Sequence, residues 1–381
     1  MKKSNYMKHK HIQIGKFLGI PIYLDYSWFL ILALLTWMLA QSYFPLEFKN
    51  WTKFSYWLVG FITSIFFFLS ILLHEFGHSI IAIKYKIKVK RITLFLFGGV
   101  AEISKEPPKS SADFWIAVAG PVTSFILAAI FYLLSSVFVN NQYFVASFKY
   151  LAYINFILAI FNLIPGFPLD GGRILRAIVW AITKSYKQAT KISAYSGKFF
   201  GLLFIMIGVF QIFQNNVSDG LWIVFIGWFL EITAMSQIQR QALNGLLLGH
   251  QVYEALTNDY GIVYPDSTVQ EIIDNHFIGT NRRNLLVKDN NIIIGFLTPG
   301  LIHSTSIKDR QIKTVKDIMT PLQDINKINS TEPLLEALKS INENDVSVVP
   351  VIENGNCIGI LNHNSITQFI FELQKLGALK R

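Results

Sequence analysis

Two histidines four residues apart, with a glutamate beside the first, stand in the run SILLHEFGHSIIAI (70–83): His74, Glu75 and His78. Residues four apart on a helix share a face, so both imidazoles project together, and Glu75 lies beside that face within reach of a group bound between them. Two neutral imidazoles in this pattern suit zinc, with the glutamate as general base on water. The setting sharpens the reading, because ionisable side chains in a lipid-spanning helix are costly unless they face a polar cavity or a partner. A purely structural hydrogen-bond cluster is the alternative, but a satisfied core histidine needs no companion glutamate at this spacing.

A catalytic zinc takes three protein ligands and keeps one position open. The third is assigned to Asp170, in FNLIPGFPLDGGRILRA (161–177). Pro165 and Pro168 remove backbone donors and interrupt the preceding helix, while Gly171 and Gly172 permit a tight turn that presents the carboxylate. The competing reading is a loop aspartate that caps the next helix.

Positioning these side chains falls to membrane spans. Of 381 residues, 52% are hydrophobic and 15% charged, and the apolar share is concentrated before about residue 236. Stretches of about 17 or more apolar residues can cross a bilayer as helices. Six candidates result: Ile22–Phe44, Tyr56–Ile83, Phe114–Val139, Phe148–Ile164, Ala194–Phe213 and Leu221–Met235. Lysine and arginine set their orientation. With the N-terminus inside, only Lys49, Lys53 and Lys149 flank the spans externally, while clusters such as Lys84, Lys86, Lys88, Lys90 and Arg91 fall in the cytosol. His74 stands ten residues before Lys84, or about 15 Å along the axis, so the site is expected in the cytosolic half of the bilayer. The N-terminal residues read as a retained cytosolic leader, since no small-residue cleavage site follows a short apolar core.

Other function classes recede. The net charge of +10 is spread between hydrophobic spans rather than gathered in one patch, so membrane topology explains it and no nucleic-acid partner is expected. Cys357 is the only cysteine, which excludes an intrachain disulfide framework and reads as a buried spectator.

Together HEFGH, LFLFGGVAEI (94–103), AGP (119–121) and NLIPGFPLDGG (162–172) resemble the site-2 protease family of intramembrane zinc metalloproteases over roughly residues 12–236. The resemblance implies that His74, His78 and Asp170 bind Zn2+, that Glu75 is the catalytic base, and that Asn162 helps to hold the substrate or its transition state. It also implies that FLFGGVAEI enters the membrane as a hairpin beside the active site, where Gly98 and Gly99 let another backbone approach and an unwound peptide adds by main-chain hydrogen bonds. A plain surface loop is the alternative. The expected substrate-facing set is Asn162, Gly98, Gly99, Pro165 and Pro168. Where many relatives carry a histidine before the first span, this chain has Asp25, to which no role is given; Glu231 reads as an interfacial residue.

Beyond the linker, the sequence repeats at a spacing near 64 residues: DSTVQEII (266–273) answers TEPLLEAL (331–338), and IIGFLTPGLI (293–302) answers CIGILNHNSI (357–366). Each unit reads as a helix, two short strands and another helix, too small to bury a core alone. The pair resembles tandem CBS domains, most clearly at VKDIMTP (315–321) and VSVVPVIENGNCIGIL (346–361). That resemblance implies an adenine nucleotide site, yet the ribose-binding aspartate is missing after both Thr298 and Asn362, which favours a structural or dimerising pair packed through the helices around Ile272 and Leu335.

The expected protein is therefore a polytopic α-helical membrane protein of about six transmembrane helices with a membrane-associated β-hairpin, followed by a cytosolic α/β tandem CBS domain. Its boundaries are 1–236 for the protease domain, 237–250 for the linker, 251–310 for the first CBS domain, and 311–381 for the second with its tail. The expected function is an intramembrane zinc endopeptidase acting on a membrane-embedded protein near the cytosolic face of the cell (inner) membrane, with the lipid bilayer as its surroundings and a homodimer through the CBS pair. A CBS-linked transporter or channel and a catalytically inactive client-binding relative are the rivals.

Overall fold

The computed structural model describes residues 11–96, 98–277, 285–290, 292–325, 327–344 and 348–379. The chain divides into two compact units, Met1–Gln239 and Arg240–Arg381. In the first, β1 (His11–Phe17) and β2 (Ile20–Asp25) form a hairpin. A second hairpin, β3 (Val89–Phe95) with β4 (Gly98–Ile103), joins it in the order β1-β2-β3-β4, with β3 parallel to β2. The expected hairpin at 94–103 is thus part of a four-stranded sheet.

Ile20, Ile22 and Leu24 alternate into the core, the period of a strand. The first span consequently does not begin at Ile22. Asp25 ends the strand, and its carboxylate accepts the Ser27 N–H at 2.9 Å to cap α1 (Tyr26–Met38). Asp25→Ala should cost about 1 kcal/mol through loss of this cap, read as a lower melting temperature of the purified protein, with an unchanged melting curve counting against the cap.

Among the described residues, six helical stretches are long and apolar enough to cross a membrane. The first, Tyr26–Glu47, comprises α1, a π-helical turn and α2 (Phe44–Glu47). Next come α3 (Lys53–Lys84), α4 (Ser110–Val137) and α5 (Gln142–Asn162); then, after the shorter α6 (Asp170–Thr183), α7 (Tyr186–Phe213) and α8 (Val217–Leu247). The last two outrun their apolar windows because helical hydrogen bonding continues into polar flanks. Residues 237–247, expected as linker, accordingly belong to α8.

Phe29, Trp37, Phe54, Trp57 and Phe61 remain exposed on the helices, as a lipid-facing surface requires. In lipid, apolar burial does little to join helices, so close backbone packing and polar pairs do the joining. Hydroxyls pair between Thr36 and Ser64 at 3.2 Å and between Thr63 and Ser147 at 2.8 Å, and Asn155 donates to Ser70 at 3.2 Å. A Cβ on Gly77 would stand 2.8 Å from the Ala119 carbonyl oxygen, so α4 packs directly on α3 at the level of the two histidines. Glu231 faces Lys198 at 3.9 Å.

In the second unit, β5 (Gly261–Val263), α9 (Val269–Ile272), β6 (Leu285–Asp289), β7 (Ile292–Leu297) and α10 (Pro299–Ser304) make one repeat. A single turn, α11 (Val315–Ile318), leads to β8 (Thr320–Pro321), which completes the first sheet. The second repeat is β9 (Ile328–Asn329), α12 (Leu334–Asn344), β10 (Val348–Glu353), β11 (Asn356–Asn362) and α13 (His363–Leu379). Ile272 packs in its own repeat with Val263 and Leu285, and Leu335 in the other beside Leu334 and Ile341. The repeats meet instead through sheet residues, Leu286 and Phe296 against Val348 and Ile360, because each helix spends its apolar face on its own sheet. Burial pushes the Cys357 thiol above its ordinary range, the opposite of a reactive thiolate.

Candidate metal centre

His74 and His78 are each 4% exposed on α3. Asp170 opens α6, and its Oδ2 lies 3.1 Å from the Nε2 of both histidines, which stand 3.2 Å from each other. Among the described residues these three side chains form the one cluster able to hold a metal ion. Asp170 caps nothing: α6 is preceded by Leu169 at the cap position, with no side-chain cap bond.

The other ring nitrogens fix which atoms of the cluster can act as ligands. His78 Nδ1 lies 2.6 Å from the Ile116 carbonyl oxygen, which can only accept, so Nδ1 carries the proton and Nε2 of the neutral ring presents a lone pair. His74 Nδ1 meets the Ser124 hydroxyl at 2.8 Å, the type of outer contact that orients a ligating imidazole. A carboxylate oxygen and two imidazole nitrogens therefore converge where a proton can bridge two groups but not three. Ligand atoms about 2.0–2.1 Å from a tetrahedral zinc lie about 3.3 Å apart, close to the 3.1–3.2 Å edges of this triangle. The donor set, two nitrogens and one oxygen, also suits zinc and leaves a position open.

Room for an ion comes from Gly120 on α4. A Cβ there would fall upon His78 Nε2 and lie 2.6 Å from His74 Nε2. Sequence reasoning gave no role to Gly120, Ser124 or the Ile116 carbonyl, although their spacing of four places them on one face of α4.

Glu75 leaves the same turn of α3, and its Oε2 accepts the Ala101 N–H of β4 at 3.2 Å. A Cβ on Gly99 would stand 2.6 Å from the Glu75 side chain. The last strand of the sheet thus turns its outer edge toward the glutamate, and Gly98, at φ +128°, begins that edge.

Asn162 ends α5, half-buried, and the following loop carries Pro165 and Pro168 to Asp170. The Pro165 carbonyl accepts the Ser196 hydroxyl and the Phe167 N–H donates to the Ser193 carbonyl at 3.2 Å, pinning the loop to α7. Gly171 and Gly172 do not form the expected turn. They sit in the first turn of α6, where a Cβ on either would collide with the backbone of residues 163–167; their absence lets the loop fold back against the helix that carries Asp170.

The family description Peptidase family M50 matches residues 62–147 and 138–206, and that of the CBS domain matches 315–372. A relative from Synechocystis sp. named as a zinc metalloprotease, sll0528, is 32% identical over 366 residues, spanning 94% of this chain and 95% of the relative. Rip3 of Mycobacterium tuberculosis, also named as a zinc metalloprotease, is 30% identical over 94% of this chain and 92% of its own. Among solved structures, the site-2 protease from Methanocaldococcus jannaschii is 33% identical and covers 60% of this chain and 95% of its own, with a TM-score of 0.43. With an identity of 32% across nearly the full length of both chains, this multi-pass membrane protein belongs to peptidase family M50, the site-2 proteases, and is an intramembrane zinc metalloprotease.

Proposed function

We propose that His74, His78 and Asp170 hold the zinc and that Glu75 is the catalytic base in hydrolysis of a peptide bond of a membrane-embedded protein. The observation that carries this reading is the convergence of the three ligand atoms within 3.1–3.2 Å of one another around the hollow left by Gly120. When bound, zinc supplies Lewis acidity that polarises a carbonyl and makes water nucleophilic near neutral pH. Glu75 accepts the proton of the attacking water and returns it to the leaving amine. A helical substrate has its carbonyls already bonded and must first unwind. Once extended, it pairs with the outer edge of β4, where Gly98 and Gly99 leave the backbone bare, while Asn162 and the loop residues Pro165 and Pro168, which lead from α5 to Asp170, complete the substrate-facing set.

Asp170→Asn should sharply lower zinc per chain, measured by elemental analysis, and remove cleavage, because an amide is a poorer zinc ligand than a carboxylate. Full metal content and turnover in that variant would mean a different third ligand.

The N-terminus and the CBS pair lie in the cytosol and the chain resides in the cell membrane, as the lysine and arginine bias supports. Reporter fusions after Ser110, Thr183 and Arg381 are expected to read as cytosolic, and those after Asn50, Asn141 and Asn215 as external. An external C-terminus would overturn the orientation.

The CBS pair serves mainly as a structural and dimerising element. In place of a ribose-binding aspartate stands Ser365, whose N–H donates to the Asn362 side-chain oxygen at 2.7 Å and whose hydroxyl accepts the Asn362 N–H at 3.2 Å, so both side chains are committed to the backbone at the start of α13. Titrating ATP or AMP into the full-length enzyme should change neither heat signal nor cleavage rate. Micromolar binding with a clear rate change would establish nucleotide control, since regulation requires unequal affinity for two states of the enzyme.

A further inference from the structure

We propose that Asp113 is a positioning residue of the metal centre: with Arg176 it forms a buried clamp that fixes α6 and thereby aims Asp170 at the two histidines. This rests on the reading of Asp170 as a zinc ligand. Asp113, in the first turn of α4, is wholly buried. Arg176 donates to it through Nε at 2.7 Å and Nη2 at 2.8 Å, and Arg173 adds a third bond at 3.3 Å. The remaining fork nitrogen of Arg176 donates to the Tyr186 hydroxyl at 2.9 Å, and the guanidinium lies about equally over the Phe167 and Tyr186 rings, 5.1 and 5.0 Å from their centroids. Each of the three nitrogens of that guanidinium thus has a hydrogen-bond partner.

A buried ion pair is weak evidence for stability, since desolvating two charges offsets their attraction. What the planar fork contributes is direction: two parallel bonds to one carboxylate fix orientation as a point charge or an apolar contact does not. Arg173 and Arg176 follow Asp170 by three and six residues on a helix of 14 residues, so fixing them fixes the rotation of the turn that presents the ligand. The helix that holds the clamp is also the one that sets the histidines. Asp113, Ile116, Gly120 and Ser124 are spaced by three, four and four residues, along one face of α4. Along that face lie the clamp on α6, the acceptor for His78, the hollow for the ion and the partner of His74. One face of one helix thereby sets all three ligands.

The test measures zinc affinity of the full-length protein in detergent by competition with a chromophoric chelator, together with the visible absorption of the cobalt(II)-loaded protein. Asp113→Asn and Arg176→Lys, which keeps the charge but loses the fork, should each weaken zinc binding about 10- to 100-fold, the usual effect of losing an outer partner of a metal ligand. The cobalt spectrum of each should move toward that of Asp170→Asn. In the Asp170→Asn background, Asp113→Asn should cause no further loss, because the clamp acts through the carboxylate already removed. Wild-type affinity in both clamp variants, with Asp170→Asn still impaired, overturns the clamp and leaves the ligand assignment standing. A loss that adds fully to that of Asp170→Asn shows a general structural role and also overturns it. Zinc retained by Asp170→Asn itself defeats the ligand assignment and the clamp together.

Discussion

Glu75→Gln leaves zinc in place and lowers cleavage by roughly 10²- to 10⁴-fold, the contribution expected of a general base positioned for proton transfer. The separation of effects follows from geometry. The three atoms that converge on the proposed ion belong to His74, His78 and Asp170, whereas the Glu75 carboxylate is bonded to the Ala101 N–H of β4. A glutamine oxygen still accepts that N–H, so strand and helix keep their relation, but an amide cannot take the proton of water. Zinc per chain and the cleavage rate of a membrane-embedded substrate, measured on one preparation, check it. Turnover within a few-fold of wild type would remove Glu75 from the chemistry, and loss of zinc would make it part of the ligand set. The same variant, expressed in cells, should accumulate the natural substrates uncut.

Gly120→Ala should empty the metal site and abolish cleavage without unfolding the protein. The added Cβ falls on His78 Nε2 and comes within 2.6 Å of His74 Nε2, filling the space into which the lone pairs point. Relief requires α4 to retreat, but Gly77 holds α3 and α4 backbone to backbone, and Ile116 and Ser124 would retreat with it. Helix propensity acts in the other direction, since alanine favours a helix interior over glycine by up to about 1 kcal/mol. The expected signature is therefore a normal far-ultraviolet spectrum and melting curve of the metal-free protein, beside zinc content and activity as low as those of Asp170→Asn. Gly245→Ala is the control, because nothing lies within 4 Å of a Cβ there. Full zinc content in Gly120→Ala would show that the hollow is not where the ion sits.

The amino-acid sequence alone determined what depends on neighbours in the chain. A spacing of four residues puts His74 and His78 on one helical face whatever surrounds them, the long apolar runs demand helices in a bilayer, and two similar stretches near 64 residues apart announce a paired domain. Only the tertiary structure decided what depends on groups distant in sequence. Apolar content reads the same in strand and helix, so the strand at Ile20–Asp25 emerged only once it paired with β1 and β3. Gly171 and Gly172 looked like turn residues, but close approach of another backbone, not a positive φ, is what excludes a side chain there. Asp113, Ile116, Gly120 and Ser124 carry a readable spacing, yet their partners stand 38 to 63 residues away. The periodicity of a helix tells which residues share a face; it holds no information about which other helix that face will meet.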